Sequence, residues 1–147
     1  QTKQVGKKKK IKNKQLLPKP LKFISSEGLE ILVGKNNKEN DYLTMKLAHS
    51  QDLWLHVKDI PGSHVIIKLE NKNVIPEQTL EEAAHLAAYY SKARNSSQVP
   101  IDFTKRKNVK KPSGSKPGMV IYEEHKTIFV TPNQELIQRL SRNTKKQ

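Results

Sequence analysis

Residues 51–67, QDLWLHVKDIPGSHVII, constrain the fold of this chain more than any other segment, because two short apolar runs flank a Pro-Gly pair. In residues 53–58 a period of two predicts a strand, since leucine and valine alternate with Trp54, His56 and Lys58. Pro61 presets its own φ and Gly62 tolerates a positive φ, so the chain is expected to reverse there into a second strand.

The predicted reversal brings four side chains that can contact a ligand into one neighbourhood: Trp54, His56, Ser63 and His64. Two histidines supply two metal ligands, whereas zinc takes three or four, so Asp52 and Asp59 would have to complete a metal site. The histidines can instead be hydrogen-bonded core residues or contact a nucleic acid. The tryptophan can pack in the core or stack on a base. We expect no bound metal and no other cofactor.

The remaining pattern predicts an α+β fold: a single domain with a largely antiparallel sheet of short hairpin strands and two to three helices. Each predicted strand is short, rich in β-branched or aromatic residues and bounded by turn residues. Besides the pair around the Pro-Gly turn, they are residues 21–25 and 29–33 as one hairpin, residues 99–104, and residues 119–123 and 127–131 as a second hairpin.

Residues 79–94 show the best helical pattern, with an apolar face rich in alanine. Thr79 and Glu82 have the spacing of a capping box at its start, and Arg94 suits its negative C-terminal end. A terminal helix is expected after Thr131, which precedes a proline and is predicted to cap it.

A polar loop, residues 34–40, offers the amides of Asn36, Asn37 and Asn40. Asparagine amides both donate and accept hydrogen bonds, so they can contact sugar hydroxyls or base edges. The alternative is simple turn chemistry followed by a short helix, residues 42–48, with Asp41 as its cap.

Positive charge is concentrated in three segments without acidic residues: residues 1–22, 103–118 and 139–147. They contain 19 of the 28 basic residues, so the remainder has 9 basic and 14 acidic residues. A mildly acidic fold that carries basic segments indicates a polyanionic partner, with nucleic acid first. The alternative is that these segments are only solvated, solubilising regions.

The internal basic segment, residues 104–118, is the strongest candidate site that the residues alone indicate. Its cations can neutralise phosphates, and its Ser-Gly-Ser turn exposes hydroxyl and backbone N–H groups that bind phosphate oxygens. The spacing of a Walker loop is absent. The candidate residues are Lys105, Arg106, Lys107, Lys110, Lys111, Ser113 and Lys116.

Size and composition divide the chain into a basic linker (residues 1–20), one domain (residues 21–140) and a basic tail (residues 141–147). Because the chain starts with Gln1, we expect it to be a fragment of a longer protein. Disulfides and thiolate zinc sites are excluded, since there is no cysteine. No apolar run approaches the length of a membrane span, so no membrane insertion is expected.

Catalysis has little support in the residues, and we expect this chain not to be an enzyme. Ser63 and His64 are adjacent, without an evident third member of a triad. The acidic pair Glu81-Glu82 lies in a first helical turn, where the helix dipole accounts for it.

Five ordered segments resemble the NFACT RNA-binding domain, the C-terminal module of the RqcH and NEMF ribosome-quality-control family. In Gram-positive bacteria this is also named the fibronectin-binding protein A family. Besides residues 51–67, the segments are VGKNNKENDYLT (33–44), EEAAHLAAYYSKAR (81–94), VPIDFTKRKNVKKPSGSKPGMVIY (99–122) and TIFVTP (127–132).

The resemblance implies an RNA-binding module that engages stalled large ribosomal subunits and tRNA in the cytoplasm and supports C-terminal alanine tailing. It places the asparagine loop on the RNA-facing surface, to which we add His56, Ser63, His64 and Arg94 as candidates. The rival hypothesis, suggested by the second family name, is a fibronectin-binding, adhesin-like module at the cell surface. A third alternative is a protein-interaction domain whose basic segments are incidental.

Overall fold

The computed structural model describes residues 18–70 and 73–145, so most of the predicted basic linker lies outside the described residues. The fold is α+β, as predicted. Its strands and helices are β1 (Leu21–Ile24), β2 (Glu30–Val33), α1 (Asn37–Tyr42), β3 (Leu53–Val57), β4 (Val65–Ile67), α2 (Glu77–Tyr89), β5 (Val99–Lys105), β6 (Val109–Lys110), β7 (Ile121–Tyr122), β8 (Lys126–Val130) and α3 (Gln134–Lys145). None of the described helices is long and apolar enough to cross a bilayer.

Six strands form one antiparallel sheet in the order β1-β2-β4-β3-β5-β8. The predicted strands around Pro61 and Gly62 are confirmed, with Leu55 opposite Val65. β6 and β7 form a separate two-stranded sheet. β3 lies in the middle of the main sheet between β4 and β5, which explains why its side chains are buried on both faces.

The alternation of residues 53–57 assigns the two faces of the sheet as predicted. Leu53, Leu55 and Val57 belong to the main core, against which the alanine-rich face of α2 packs. Trp54 lies on the opposite face in a smaller apolar cluster that includes Leu43. A π-helical turn, Leu43–Leu47, and the β6-β7 sheet contribute residues to that second cluster.

The helix α1 begins earlier than predicted, because Asn36 caps it. The Oδ1 atom of Asn36 accepts a hydrogen bond from the backbone N–H of Glu39 at 2.9 Å. Residues 37–40 are therefore helical, and the prediction of Asp41 as the cap was wrong. Asp41 instead accepts a hydrogen bond from the backbone N–H of Gly118 at 2.9 Å. Either residue type can cap a helix, and here the earlier one does so.

The start of α2 is capped by another part of the chain rather than by the predicted box. Pro76 precedes the helix without a side-chain cap bond. The carboxylate of Glu27, in the β1-β2 turn, accepts from the backbone N–H of Thr79 at 2.6 Å. Glu82 accepts from the backbone N–H of Ser26 at 3.0 Å, so both members of the predicted box bind the β1-β2 turn. The capping-box prediction was therefore wrong.

The predicted hairpin of residues 119–131 does not form. β7 pairs with β6, whereas β8 pairs with β5 and extends the main sheet. The predicted basic loop consequently contains a 3₁₀ turn, Arg106–Asn108, and strand β6. Two contacts account for the separation: Tyr122 in β7 packs on Trp54, and Thr127 in β8 donates to Asp102.

The terminal helix α3 is capped by Asn133, whose Oδ1 accepts from the backbone N–H of Glu135 at 2.9 Å. Thr131, the predicted cap, instead accepts from the backbone N–H of Gln98 at 3.0 Å. That prediction was wrong because a neighbouring asparagine satisfies the helix end. The helix continues through Lys145, so residues 141–145 of the predicted tail are helical.

Candidate nucleic-acid interface

A buried imidazole joins the second face of the sheet to the segment that follows β6. His64 is 1% exposed, and its Nδ1 lies 3.2 Å from the indole nitrogen of Trp54. Its Nε2 lies 3.1 Å from the carbonyl oxygen of Gly118. Because the indole N–H can only donate, Nδ1 must accept and the proton must sit on Nε2. His64 is therefore a neutral residue that holds the chain around Gly118 over the sheet.

Burial lowers the pKa of His64 to about 3, with smaller contributions in the same direction from the nearby His56 and Lys111. The hydroxyl of Thr44 adds a contact at 2.8 Å to Nδ1. The imidazole is thus unprotonated near neutral pH, where it serves as a hydrogen-bonding residue of the core.

His56 lies beside His64, as the sequence predicts, but at the surface of the same cluster. Its ring stacks on Trp54 with 5.8 Å between centroids and 5° between planes, and it meets His64 edge-on at 5.5 Å. Burial lowers the pKa of His56. Trp54 is 0% exposed, which favours core packing over base stacking. The described residues contain no group of three or more His, Asp or Glu arranged to hold a metal.

A buried carboxylate stabilises this region from the neighbouring strand. Asp102 lies opposite His56 in the β3-β5 register. It accepts hydrogen bonds from the hydroxyls of Tyr122 at 2.5 Å and Thr127 at 2.7 Å, and from the ammonium of Lys58 at 3.2 Å. Burial opposes ionisation, but these donors together lower the pKa of Asp102 below its ordinary value. The network fixes the ring of Tyr122 beside Trp54, with 4.7 Å between centroids.

These rings line a cleft of about 530 Å³, which we call the aromatic cleft. His56 and Tyr122 contribute rings, and Ile60 and Met119 contribute exposed apolar side chains. Within the described part of the chain no lysine or arginine lines it. The aromatic cleft therefore suits a flat, apolar group better than a phosphate.

A second cleft, of about 570 Å³, adjoins the first, and we call it the cationic cleft. Lys35, Lys92 and Arg94 line it, and among the described residues no acidic side chain does. The guanidinium of Arg94 lies 4.0 Å from the centre of the Tyr89 ring, which orients this cation. The cationic cleft has the charge expected for a phosphate-binding surface.

The turn at Pro61 and Gly62 separates the two clefts and lines both. A side chain at Gly62 would place its Cβ 2.8 Å from Val57 and 2.9 Å from Ser91, so the turn packs tightly against the residues after α2. Ser63 is buried, and its backbone N–H donates to the carbonyl of Tyr90 at 2.9 Å. Ser63 lines the cationic cleft, whereas Trp54 and the neighbouring His64 line the aromatic cleft.

The three candidate asparagines have different environments. Asn36 is exposed and caps α1. Asn40 is 3% exposed, and its Oδ1 accepts from the backbone N–H of His64 at 3.0 Å, so it stabilises the fold. Asn37 is exposed and lines both clefts, so its amide is available to a ligand that binds in either cleft.

The basic residues of the internal segment divide into two groups. Arg106 donates to the backbone carbonyls of Thr44 and Val109, and Lys111 donates to the carbonyls of Lys116 at 2.8 Å and Met119 at 3.0 Å. These two side chains hold the segment together. The remaining candidates are exposed: Lys105, which donates to Gln51 at 2.8 Å, with Lys107, Lys110, Ser113 and Lys116.

Sequence reasoning missed Lys35, Lys92, Met119 and Tyr122 as functional candidates. Lys35 and Lys92 are isolated lysines in unremarkable contexts, and only the packing of the β2-α1 connection against the end of α2 brings them together. Tyr122 was assigned to a hairpin strand, and its place beside Trp54 depends on the β6-β7 pairing. No local signal identified any of them.

The chain matches the family model described as the NFACT protein RNA binding domain over residues 19–124. It is 52% identical over 121 residues to the Rqc2 homolog RqcH of Bacillus subtilis, which covers 82% of this chain and 21% of that protein. The RqcH of Streptococcus suis is 47% identical over 124 residues, covering 83% and 22% respectively.

A solved structure of the C-terminal of the fibronectin/fibrinogen-binding protein from Streptococcus suis has the same fold, with a TM-score of 0.78 and 46% identity. The match covers 83% of this chain and 49% of that one. The chain spans about a fifth of the length of the two RqcH relatives.

Proposed function

We propose a specific RNA-binding surface for this chain, which belongs to the family of NFACT protein RNA binding domains found in ribosome-quality-control factors. The surface consists of the cationic cleft together with the exposed lysines of residues 105–116. The observation that carries the proposal is the convergence of Lys35, Lys92 and Arg94 on one cleft, where Lys35 also pairs with the nearby Glu39 at 3.6 Å and no acidic side chain is among the described lining residues. Cations grouped in this way neutralise phosphates and release counterions.

The family and its relatives support RNA and the ribosome as partners. We infer that this surface contacts the large ribosomal subunit and tRNA, and that the longer protein supports C-terminal alanine tailing of stalled chains in the cytoplasm. We propose that the described side chains form a binding surface and that the module positions RNA without catalysing a reaction itself.

The test is the salt dependence of tRNA binding by the 147-residue chain. The triple variant Lys35→Ala/Lys92→Ala/Arg94→Ala should bind more weakly, and its log–log salt slope should flatten by up to about 0.7–0.9 for each phosphate that is no longer neutralised. The matched control, Lys22→Ala/Arg139→Ala/Arg142→Ala, removes the same charge from exposed positions on β1 and α3. Equal slopes in the two folded variants would contradict the proposal, because net charge alone would then explain binding.

Fibronectin binding is a second candidate, favoured by one observation: the structural relative from Streptococcus suis is named for it. A basic surface can attract acidic or sulfated matrix partners as well as RNA. Measuring both ligands with the triple variant separates the two functions. Fibronectin binding that survives the removal of all three cations, while tRNA binding falls, would assign it to another surface.

A further inference from the structure

The aromatic cleft adjoins the cationic cleft but offers opposite chemistry. Its rings belong to His56 and Tyr122, and its exposed apolar side chains are Met119, 59% exposed, and Ile60, 37% exposed. The absence of lysine and arginine among its described lining residues means that a phosphate would gain no ion pair there. A flat, largely apolar group would touch both rings.

The charged side chain that lines the aromatic cleft within the described residues is the carboxylate of Asp59, so the cleft disfavours an anionic ligand and accepts an uncharged one. Burial lowers the pKa of His56 and of His64, so both imidazoles are neutral near neutral pH. Tyr122 is held as a neutral phenol, because burial and its hydrogen bond to Asp102 raise its pKa. At about 530 Å³ the cleft is within the ~300–1,000 Å³ range of sites that hold small organic groups.

The two clefts are in contact through a shared edge. Asn37, Pro61 and Gly62 line both, and the exposed amide of Asn37 can donate to or accept from a polar ring edge. A nucleic-acid strand whose phosphates lie in the cationic cleft can therefore turn one base across Pro61 and Gly62. Unstacked bases of RNA are recognised on aromatic side chains in this manner.

We propose that the aromatic cleft holds one unstacked base of an RNA strand whose phosphates lie in the cationic cleft. The inference rests on the proposed function and adds a division of roles: Lys35, Lys92 and Arg94 bind phosphates, while His56, Met119 and Tyr122 contact the base. Single-stranded or looped RNA is therefore preferred over a continuous duplex, whose bases stay stacked.

The experiment compares two RNA probes on the 147-residue chain: a single strand of about 12 nucleotides and a blunt duplex of about 16 base pairs. The variant His56→Ala/Met119→Ala should weaken single-strand binding about 5- to 150-fold, the range for removing a base–aromatic stack, without changing the salt slope. Duplex binding should change less than about 2-fold, within the spread expected where no base stacks on the protein.

The matched control is Ile121→Ala. Ile121 is 59% exposed, as Met119 is, and lies two residues away, but it does not line the cleft. It should bind both probes as the unchanged chain does. The single variant Met119→Ala removes only a surface side chain, so it tests the cleft even if loss of His56 impairs folding, and it should weaken single-strand binding alone.

Three outcomes are decisive. Unchanged single-strand affinity in Met119→Ala and in the folded double variant overturns the base site while leaving the phosphate-binding surface intact. A flattened salt slope in those variants overturns it too, because the cleft would then bind phosphate. If the triple variant Lys35→Ala/Lys92→Ala/Arg94→Ala binds RNA with the same salt slope as the unchanged chain, the proposed function itself fails. It also fails if the unchanged chain binds neither probe.

Discussion

Acidification should destabilise this fold through His64, whose imidazole is neutral and buried among fixed hydrogen-bond partners. Its pKa is about 3 in the folded chain against an ordinary value of 6.5. Below pH 6.5 the unfolded chain therefore binds a proton that the folded chain does not. Stability attributable to this group is fully present above about pH 6.5 and is lost as the pH falls toward 3.

The magnitude follows from that difference. Between about pH 7 and pH 5 the unfolded side chain becomes almost fully protonated while the folded one stays neutral, which costs about 2 kcal/mol of unfolding free energy. His56 and His85, whose pKa values burial also lowers, add to the total loss. A variant that lacks only the His64 imidazole isolates its share, because the other histidines remain.

Urea unfolding at about pH 7, 6 and 5 measures the effect, with the fluorescence of the sole tryptophan, Trp54, as the signal. The variant His64→Asn should be less stable than the unchanged chain at pH 7, since it lacks a buried imidazole that has several partners. It should lose about 2 kcal/mol less between pH 7 and pH 5. Parallel pH profiles would refute the reasoning, as would an NMR titration of the unchanged chain in which the His64 ring titrates near pH 6.5.

Three further outcomes are expected. Asp102→Asn should lower the unfolding free energy by about 1–3 kcal/mol, because the hydroxyl of Tyr122 and two other donors lose a charged acceptor; unchanged urea midpoints would contradict this. Arg106→Ala should lower the unfolding free energy by about 1–3 kcal/mol, because its backbone carbonyl partners lose their donor. Lys107→Ala changes an exposed neighbour and should alter the unfolding free energy by less than about 0.5 kcal/mol. A larger loss in Lys107→Ala than in Arg106→Ala would contradict the structural role of Arg106. Elemental analysis of the untagged, chelator-washed chain should find fewer than about 0.2 transition-metal ions per chain, and stoichiometric zinc would overturn that expectation.

Strand identity and the assignment of faces could be predicted wherever a period of two met a clear turn. Trp54 and His56 alternate with leucines and valine, and the pleat of a strand alone puts the two sets on opposite faces. The following Pro-Gly pair reverses the chain, so the neighbourhood of Trp54, His56 and His64 was also predictable. Family membership was predictable because the matching segments are specific and ordered.

Helix ends were less predictable, because several nearby side chains can satisfy the same backbone groups. Asn36 and Asn133 cap helices for which Asp41 and Thr131 were equally reasonable. At α2 the acceptor is Glu27, which is 52 residues from Thr79 in the chain. Local spacing carries no information about a partner so distant.

The periodicity of the chain was enough to locate most strands of the main sheet, the helix α2, the basic segments and the face of β3 that carries the aromatic and imidazole rings, but it missed β6 and the start of α1. Only the tertiary structure decided which cations face a ligand. It directed Arg106 and Lys111 to backbone carbonyls, and it brought Lys35 and Lys92 to one cleft from segments on either side of the Pro61 turn. The physical reason is range: strand and helix patterns depend on neighbouring residues, whereas a lysine's role depends on groups that the fold brings within a few ångströms.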